Sequence, residues 1–311
     1  MAIRSGVTTT GSEGADIPVY PGGSTVYLDG SGSFTTPAGG GASVLDVETE
    51  IDPLHLYRPI DDATHTVLVG GKVDTLKDIS TRGATLDLTQ TTDANRFTQG
   101  TDGGGKEFMR SLVGDAGEIW LDATTAADWS FMHSPGGLGC TLACVVEIED
   151  VATTQNNILG TTIAGAGVGA EIRLNGSAGT VLMVPQGPVA PMAMALYTDS
   201  NKNNGTNGVY SFLARYRDLG TLGVTNATAS VEGETSVNGT RLLWSKRLKD
   251  YASIATDPDF PLRVGAMVNG TNGIIGKIYE VVLDDRYWSD ELVRRYHARG
   301  VSEYGAGNMI R

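Results

Sequence analysis

From about Ile51 onward, short apolar runs alternate with polar and glycine-rich breaks, and within many runs apolar and polar residues alternate one by one. A period of two marks strands with one face in a core and the other in water. The clearest segments are 118–122, 141–149, 170–174, 181–185, 209–215, 241–246, 262–268 and 277–283. Six Asn-Gly dipeptides begin at Asn175, Asn204, Asn207, Asn238, Asn269 and Asn272. Both residues tolerate positive φ, so Asn-Gly between strand-like runs predicts hairpins, and the hairpins predict antiparallel meanders.

Two segments break this rhythm. Ser289 is placed to cap a helix over 289–300, with Asp290 and Glu291 in its first turn. Arg294, Arg295 and Arg299 lie toward its end and Gly300 follows, which suits the helix dipole and the terminal glycine preference. Leu292, Val293 and Tyr296 form its apolar face. Leu248, Tyr251, Ala252 and Ala255 also have helical spacing, predicting a short helical stretch before Asp257-Pro258. No internal repeat of about 20–50 residues is evident, which argues against a propeller or solenoid.

Residues 1–45 have a different texture, dominated by Gly, Ser and Thr. One strand is predicted at 24–29, with Val26 and Leu28 on one face. Such a segment does not repay its own ordering entropy by self-burial. It reads as an anchoring arm that orders against a partner, Val26 and Leu28 adding a strand to that partner's sheet edge. The predicted organisation is therefore an arm, 1–45, and one sandwich domain, 46–311, a length that all-β domains reach.

The chain has 311 residues, 40% of them apolar and only 7% aromatic, so the core must rest on aliphatic side chains. Glycine and proline, 42 and 11 residues, fall mostly between the apolar runs and favour strands and turns over helices. The net charge of −13 argues against nucleic acid as a partner, since the only basic clusters are 246–249 and 294–299. No stretch has the length of a membrane span, and MAIRSGVTTTGSEG lacks the apolar core of a signal peptide, so synthesis in a cytoplasm is expected. Cys140 and Cys144, four apart on a strand, stand roughly 13 Å from each other. That is beyond disulfide reach, and both read as small buried hydrophobes.

Three blocks resemble the concanavalin A-like (laminin-G-like) sandwich modules of tailed-bacteriophage structural proteins. The first is VDTLKDISTRGATLDLTQTTDANR, residues 73–96, where Leu76 and Phe97 stand in place of a common Trp and Pro. The second is EIWLDATTAADW followed by the strand TLACVVEI. The third and most specific is FPLRVGAMVNGTNGIIGKIYEVVLDDRYWSDELVRRYHARGVSEYG. Together they span about 51–305. The resemblance implies an antiparallel two-sheet jelly roll with one short C-terminal helix. It further implies a non-enzymatic virion protein, a capsid decoration, head-fibre or tail-associated component on the particle surface, assembled in the host cytoplasm. Implied partners are other capsid or tail subunits through the arm, further copies of the chain, and surface glycans; no cofactor is implied. A glycan-binding adhesion module and a glycoside hydrolase are the alternatives.

The hydrolase alternative rests on Glu147, Glu149 and Asp150, because glucanases of this architecture use two strand-borne carboxylates about 5–5.5 Å apart. Val151 stands where a further Glu belongs, so the cluster reads as a solvated strand end and no catalytic residue is assigned. His55, His65, His133 and His297 lack metal-ligand spacing, and His133-Ser134 is not the arrangement of a nucleophile and its base. GAGVGA and PGGLG sit in no strand–loop–helix unit and read as β-loops. The stretch from Asp199 to Gly205 resembles the start of a calcium loop, but Tyr210 occupies the position of the bidentate Glu, and it reads as a polar hairpin tip. Of the four tryptophans, Trp129, in a polar loop, is the one placed to stack on a sugar, and Trp244 is expected in the core.

Overall fold

The computed structural model describes residues 45–112, 119–132, 139–150, 155–161, 169–175, 208–218, 257–266 and 273–305, together with the further strands named below. The chain divides into two units, Met1–Val44 and Leu45–Arg311. In the first, β1 (Tyr27–Leu28) pairs antiparallel with β2 (Phe34–Thr35), Leu28 opposite Phe34. Val26 lies outside the described residues.

The second unit begins with β3 (His55–Tyr57), the hairpin β4 (Thr66–Val69) and β5 (Lys72–Leu76), then β6 (Leu88–Thr89), β7 (Thr98–Thr101), β8 (Glu107–Ser111) and β9 (Leu121–Asp122). It continues with β10 (Cys140–Ile148), β11 (Gln155–Gly160), β12 (Glu171–Asn175) and β13 (Thr180–Met183). A small hairpin follows, β14 (Gln186–Gly187) and β15 (Ala190–Pro191). Then come β16 (Met194–Tyr197), β17 (Gly208–Asp218), β18 (Ala229–Asn238), β19 (Leu242–Tyr251), β20 (Arg263–Val264), β21 (Gly276–Asp284) and the helix α1 (Asp290–Tyr304).

In one layer β10 is central, paired with β17 on one side and β21 on the other; β21 also pairs β3 and β8, and β17 continues to β18 and β19. The second layer runs β4-β5-β6-β9-β20-β11-β12-β13-β16, and β7 links the layers by pairing both β5 and β8. Every pairing between these named strands is antiparallel. The fold is an all-β sandwich with one α-helix among the described residues.

Leu142, Cys144, Val146 and Ile148 of β10 meet Leu121, Leu159, Ile172 and Val264 of the opposite layer in the main core. The other face of β10 is buried as well. Ala143 and Val145, with Leu213 and Val282, pack beneath Val293 and Tyr296 of α1 and beneath Val47 and Ile51 of a five-residue π-helical turn. A strand covered on both faces needs apolar residues at both parities, which is why CTLACVV does not alternate. Both cysteines are buried, and no disulfide joins them.

The helix starts where its cap predicts: the Ser289 hydroxyl accepts from the Leu292 amide at 3.2 Å. It does not stop at Gly300. It runs to Tyr304 and ends on Gly305, in the left-handed region at φ 68°. Gly300 is carried inside because Arg299 and Tyr304, on either side of it, are tied to the sheet through Glu280 and Tyr279. The helical spacing of Leu248 and Tyr251 is also overruled, since both belong to β19, paired along its full length with β18. Asn175 and Asn238 do end the first strands of hairpins, β12–β13 and β18–β19. The β4–β5 hairpin turns instead on Gly70 and Gly71, both at positive φ.

A β-bulge in β21 sets the relation between helix and sheet. Val145 pairs with Glu280 but Val146 with Ile278, so Tyr279 is an extra residue. The slip brings Tyr279 and Glu280 together to the helix side, where strict alternation would send one of them into the main core. Glu280 is fully buried and joins Arg299 (2.7 Å) to Arg58 (2.8 Å).

Candidate functional site

The second layer carries a polar row on the face turned away from the main core. Across five strands the register aligns Thr89, Asp122, Arg263, Gly160 and Glu171. One residue further along, Leu121, Val264, Leu159 and Ile172 form the row that enters the core. Because side chains alternate along each strand, fixing the second row inward fixes the first outward.

Arg263 and Asp122 meet as a two-pronged pair, Nε to Oδ1 at 2.6 Å and Nη2 to Oδ2 at 2.8 Å. The Trp120 indole donates to Asp122 Oδ2 at 2.9 Å, and the Arg263 guanidinium lies 4.4 Å from the centre of the indole ring. Each member thereby fixes the other two. The planar guanidinium satisfies the carboxylate along its edge and stacks on the indole through its face. Trp120, Asp122 and Arg263 all remain partly exposed. Gln90 Nε2 donates to the Trp120 carbonyl at 3.3 Å, bracing the backbone from behind. The patch combines an aromatic ring, a carboxylate and a guanidinium already held in place, the mixture that contacts the C–H faces and hydroxyls of a polyol.

Further along the row Gly160 separates Arg263 from Glu171. A Cβ at Gly160 would come 3.0 Å from the Glu171 Cβ, so the glycine lets the two strands and their side chains close up. Glu171 is fully buried, 3.3 Å from Arg173 Nη1. Burial pushes its carboxyl up to about 7, against the pull of Arg173. Asn157, also fully buried, stands opposite Arg173 on β11.

The residues singled out in the sequence fare differently. Trp129 is fully buried, in a 3-10 helix over Ala127–Met132, with its ring 4.9 Å from His55; it offers no face to a sugar. Among the described tryptophan side chains the partly exposed one is Trp120, which strand parity places beside Asp122. Glu147 and Glu149 do share one strand face, but both accept from cations. Lys277 reaches Glu147 at 2.7 Å and Glu149 at 3.6 Å, Arg110 reaches Glu149 at 2.6 Å, and the Tyr279 hydroxyl donates to Glu147 at 3.0 Å. His55 is buried against Asp78 at 2.7 Å, His65 contacts Asp62, and His297 lies between Ser211 and Ser236. Among the described residues no three His, Cys, Asp or Glu side chains converge as a metal site, and no helix is long and apolar enough to cross a membrane. His133, the Asp199–Gly205 loop and the side chain of Trp244 lie outside the described residues.

No family model matches the chain, and no curated protein does. Solved structures with a similar fold include the binding domain of botulinum neurotoxin serotype D/C, at 8% identity and a TM-score of 0.50, covering 80% of this chain and 52% of that one. A botulinum neurotoxin type C structure aligns over 74% of this chain and 51% of its own, at 8% identity and a TM-score of 0.47. The CBM40 domain of the Ruminococcus gnavus IT-sialidase aligns over 60% of this chain and 94% of its own, at 13% identity and a TM-score of 0.40. The chain spans about half the length of the neurotoxin chains it matches. At such identity the likeness is one of fold alone, that of an all-β sandwich.

Proposed function

We propose that the sandwich is a non-enzymatic glycan-binding module, and that the patch of Trp120, Asp122 and Arg263 is where it contacts sugar. The observation that carries the reading is the mutual locking of these three groups on the outward face of a lectin-like sheet. Groups held in their bound geometry lose little entropy when a ligand arrives. A binding domain of a neurotoxin shares the fold, which supports a recognition role, though fold by itself assigns none. The cations paired with Glu147 and Glu149 argue against a hydrolytic pair, because one member of such a pair must carry a proton to the leaving group.

The setting we infer for this module is the surface of a tailed-phage particle, with residues 1–45 as the attachment to other virion subunits. The three blocks of resemblance and the glycine- and serine-rich composition of the arm support that setting.

The test is an array of immobilised saccharides probed with the full chain, followed by titration of the best sugar. Trp120→Ala and Arg263→Ala are expected to weaken that affinity by tenfold or more while the melting temperature stays near wild type. An array on which the wild-type chain binds nothing would reject the glycan reading.

A further inference from the structure

Beside the Trp120 patch lie two fully buried polar side chains with no hydrogen bonds. Neither oxygen of Glu171 accepts a hydrogen bond, Oε1 having only the Arg173 guanidinium at 3.3 Å, and neither the amide nitrogen nor the amide oxygen of Asn157 makes one. They occupy adjacent strands, Asn157 paired with Arg173 and Glu171 two residues along on the same face. Buried polar atoms in folded proteins are nearly always hydrogen-bonded, so four that are not, on two neighbouring side chains, demand a reason. Each finds hydrogen-bonding partners in water when the chain is unfolded, and folding without replacing those partners lowers stability.

We propose that Asn157 and Glu171 form a hydroxyl-recognition subsite, taking neighbouring hydroxyl groups of a neutral sugar unit whose ring extends toward Trp120 and Arg263. This rests on the glycan reading above and deepens it. The chemistry of the residues selects this ligand class. A carboxyl accepts from hydroxyls, and a side-chain amide both donates and accepts, which matches a vicinal diol. A metal ion is disfavoured by Arg173, whose guanidinium approaches Glu171 to 3.3 Å. An anion is disfavoured by the Glu171 carboxyl. A site built to hydrogen-bond a hydroxyl also discriminates sharply against analogues lacking it, because its buried groups would again be left unpaired.

Two substitutions in the full chain separate this role from a structural one. Glu171→Gln removes a buried charge, and Asn157→Leu removes two idle polar atoms at similar volume. If the residues only support the fold, each change lowers the melting temperature and leaves sugar affinity in the folded protein unchanged. The subsite predicts the reverse: a melting temperature at about pH 8 equal to or above wild type, and at least tenfold weaker binding of the best sugar from the array. It also predicts that the variants no longer discriminate that sugar from its deoxy analogue. Wild-type affinity in both variants would overturn the subsite while leaving the Trp120 patch standing. Binding lost only in Trp120→Ala and Arg263→Ala would do the same. A wild-type chain that binds no saccharide overturns the glycan reading and the subsite together.

Discussion

Glu171 and His297 are both buried, and burial moves their protonation in opposite directions along the pH axis. The His297 ring is fully buried, its two nitrogens within 2.9 Å of Ser211 Oγ and 2.8 Å of Ser236 Oγ, and desolvation lowers its pKa from 6.5 to about 3. Between these values the unfolded chain holds the proton and the folded chain does not. Stability is therefore lost as pH falls from 6.5 toward 3, at roughly 1.4 kcal/mol per unit. Glu171 behaves inversely. Its carboxyl rises from 4.5 to about 7, so the folded chain holds the extra proton, and stability present below 4.5 is lost as pH rises through 7. Two outcomes are expected from melting curves. His297→Gln, which keeps hydrogen-bonding atoms but does not titrate, should flatten the acid limb between about pH 6 and pH 4. Glu171→Gln should raise stability near pH 8, by on the order of 1–3 kcal/mol, and change little near pH 4. Unaltered slopes in either variant would show that these groups do not set the profile.

At the scale of elements, α1 is held to the sheet by charge as well as by apolar packing. Burial pushes the Glu280 carboxyl up, but Arg299 and Arg58 outweigh it and hold the pKa below its ordinary value. The Arg215 guanidinium, itself buried, ties β17 to Glu234 of β18 and to Asp290 in the first turn of the helix. On the solvent side Arg295 pairs with Glu50 at 2.5 Å, binding the helix to the π-helical turn. Removing one member of a buried ion network strands the others without compensation. Glu280→Gln is expected to cost about 3–5 kcal/mol in urea unfolding, whereas replacing Glu280, Arg299 and Arg58 together by apolar residues should recover much of that loss. Ser289→Ala removes a cap and should cost about 1 kcal/mol. A Glu280→Gln protein with the wild-type urea midpoint would mean that the helix is held by Val293, Tyr296 and Trp288 alone.

At the scale of the whole molecule, the sandwich and the N-terminal segment are separate units. Leu45 is only 2% exposed and belongs to the helix-side core, so the last residue that can be spared is Val44. Deleting residues 1–44 is expected to leave a chain with a single cooperative transition, the wild-type melting temperature and undiminished sugar binding. In the particle setting we infer, that truncated chain should no longer be incorporated. Normal incorporation would show that the attachment lies on the sandwich itself.

The local pattern of residues was enough to determine strands, turns and the start of the helix, because each depends on near neighbours. Period-two alternation marked β12 and β20, Asn175 and Asn238 marked hairpins, and Ser289 with Asp290 and Glu291 marked the cap. It also gave the fold class, since many short antiparallel strands with few helices have few ways to bury their apolar faces. The tertiary structure alone decided what depends on distant partners. Leu248 and Tyr251 have helical spacing, but β18 offered a full ladder of hydrogen bonds and they became strand. Gly300 looked like a stop, but the anchors on either side of it carried the helix on to Gly305. Trp129 lies among polar residues yet points into the core, while Trp120 faces outward. No single strand reveals that Asp122, Arg263, Gly160 and Glu171 form one row, because they come from four strands spread over some 140 residues of chain. The row exists only through the register between strands, and register is set by which side chains the opposing sheet buries.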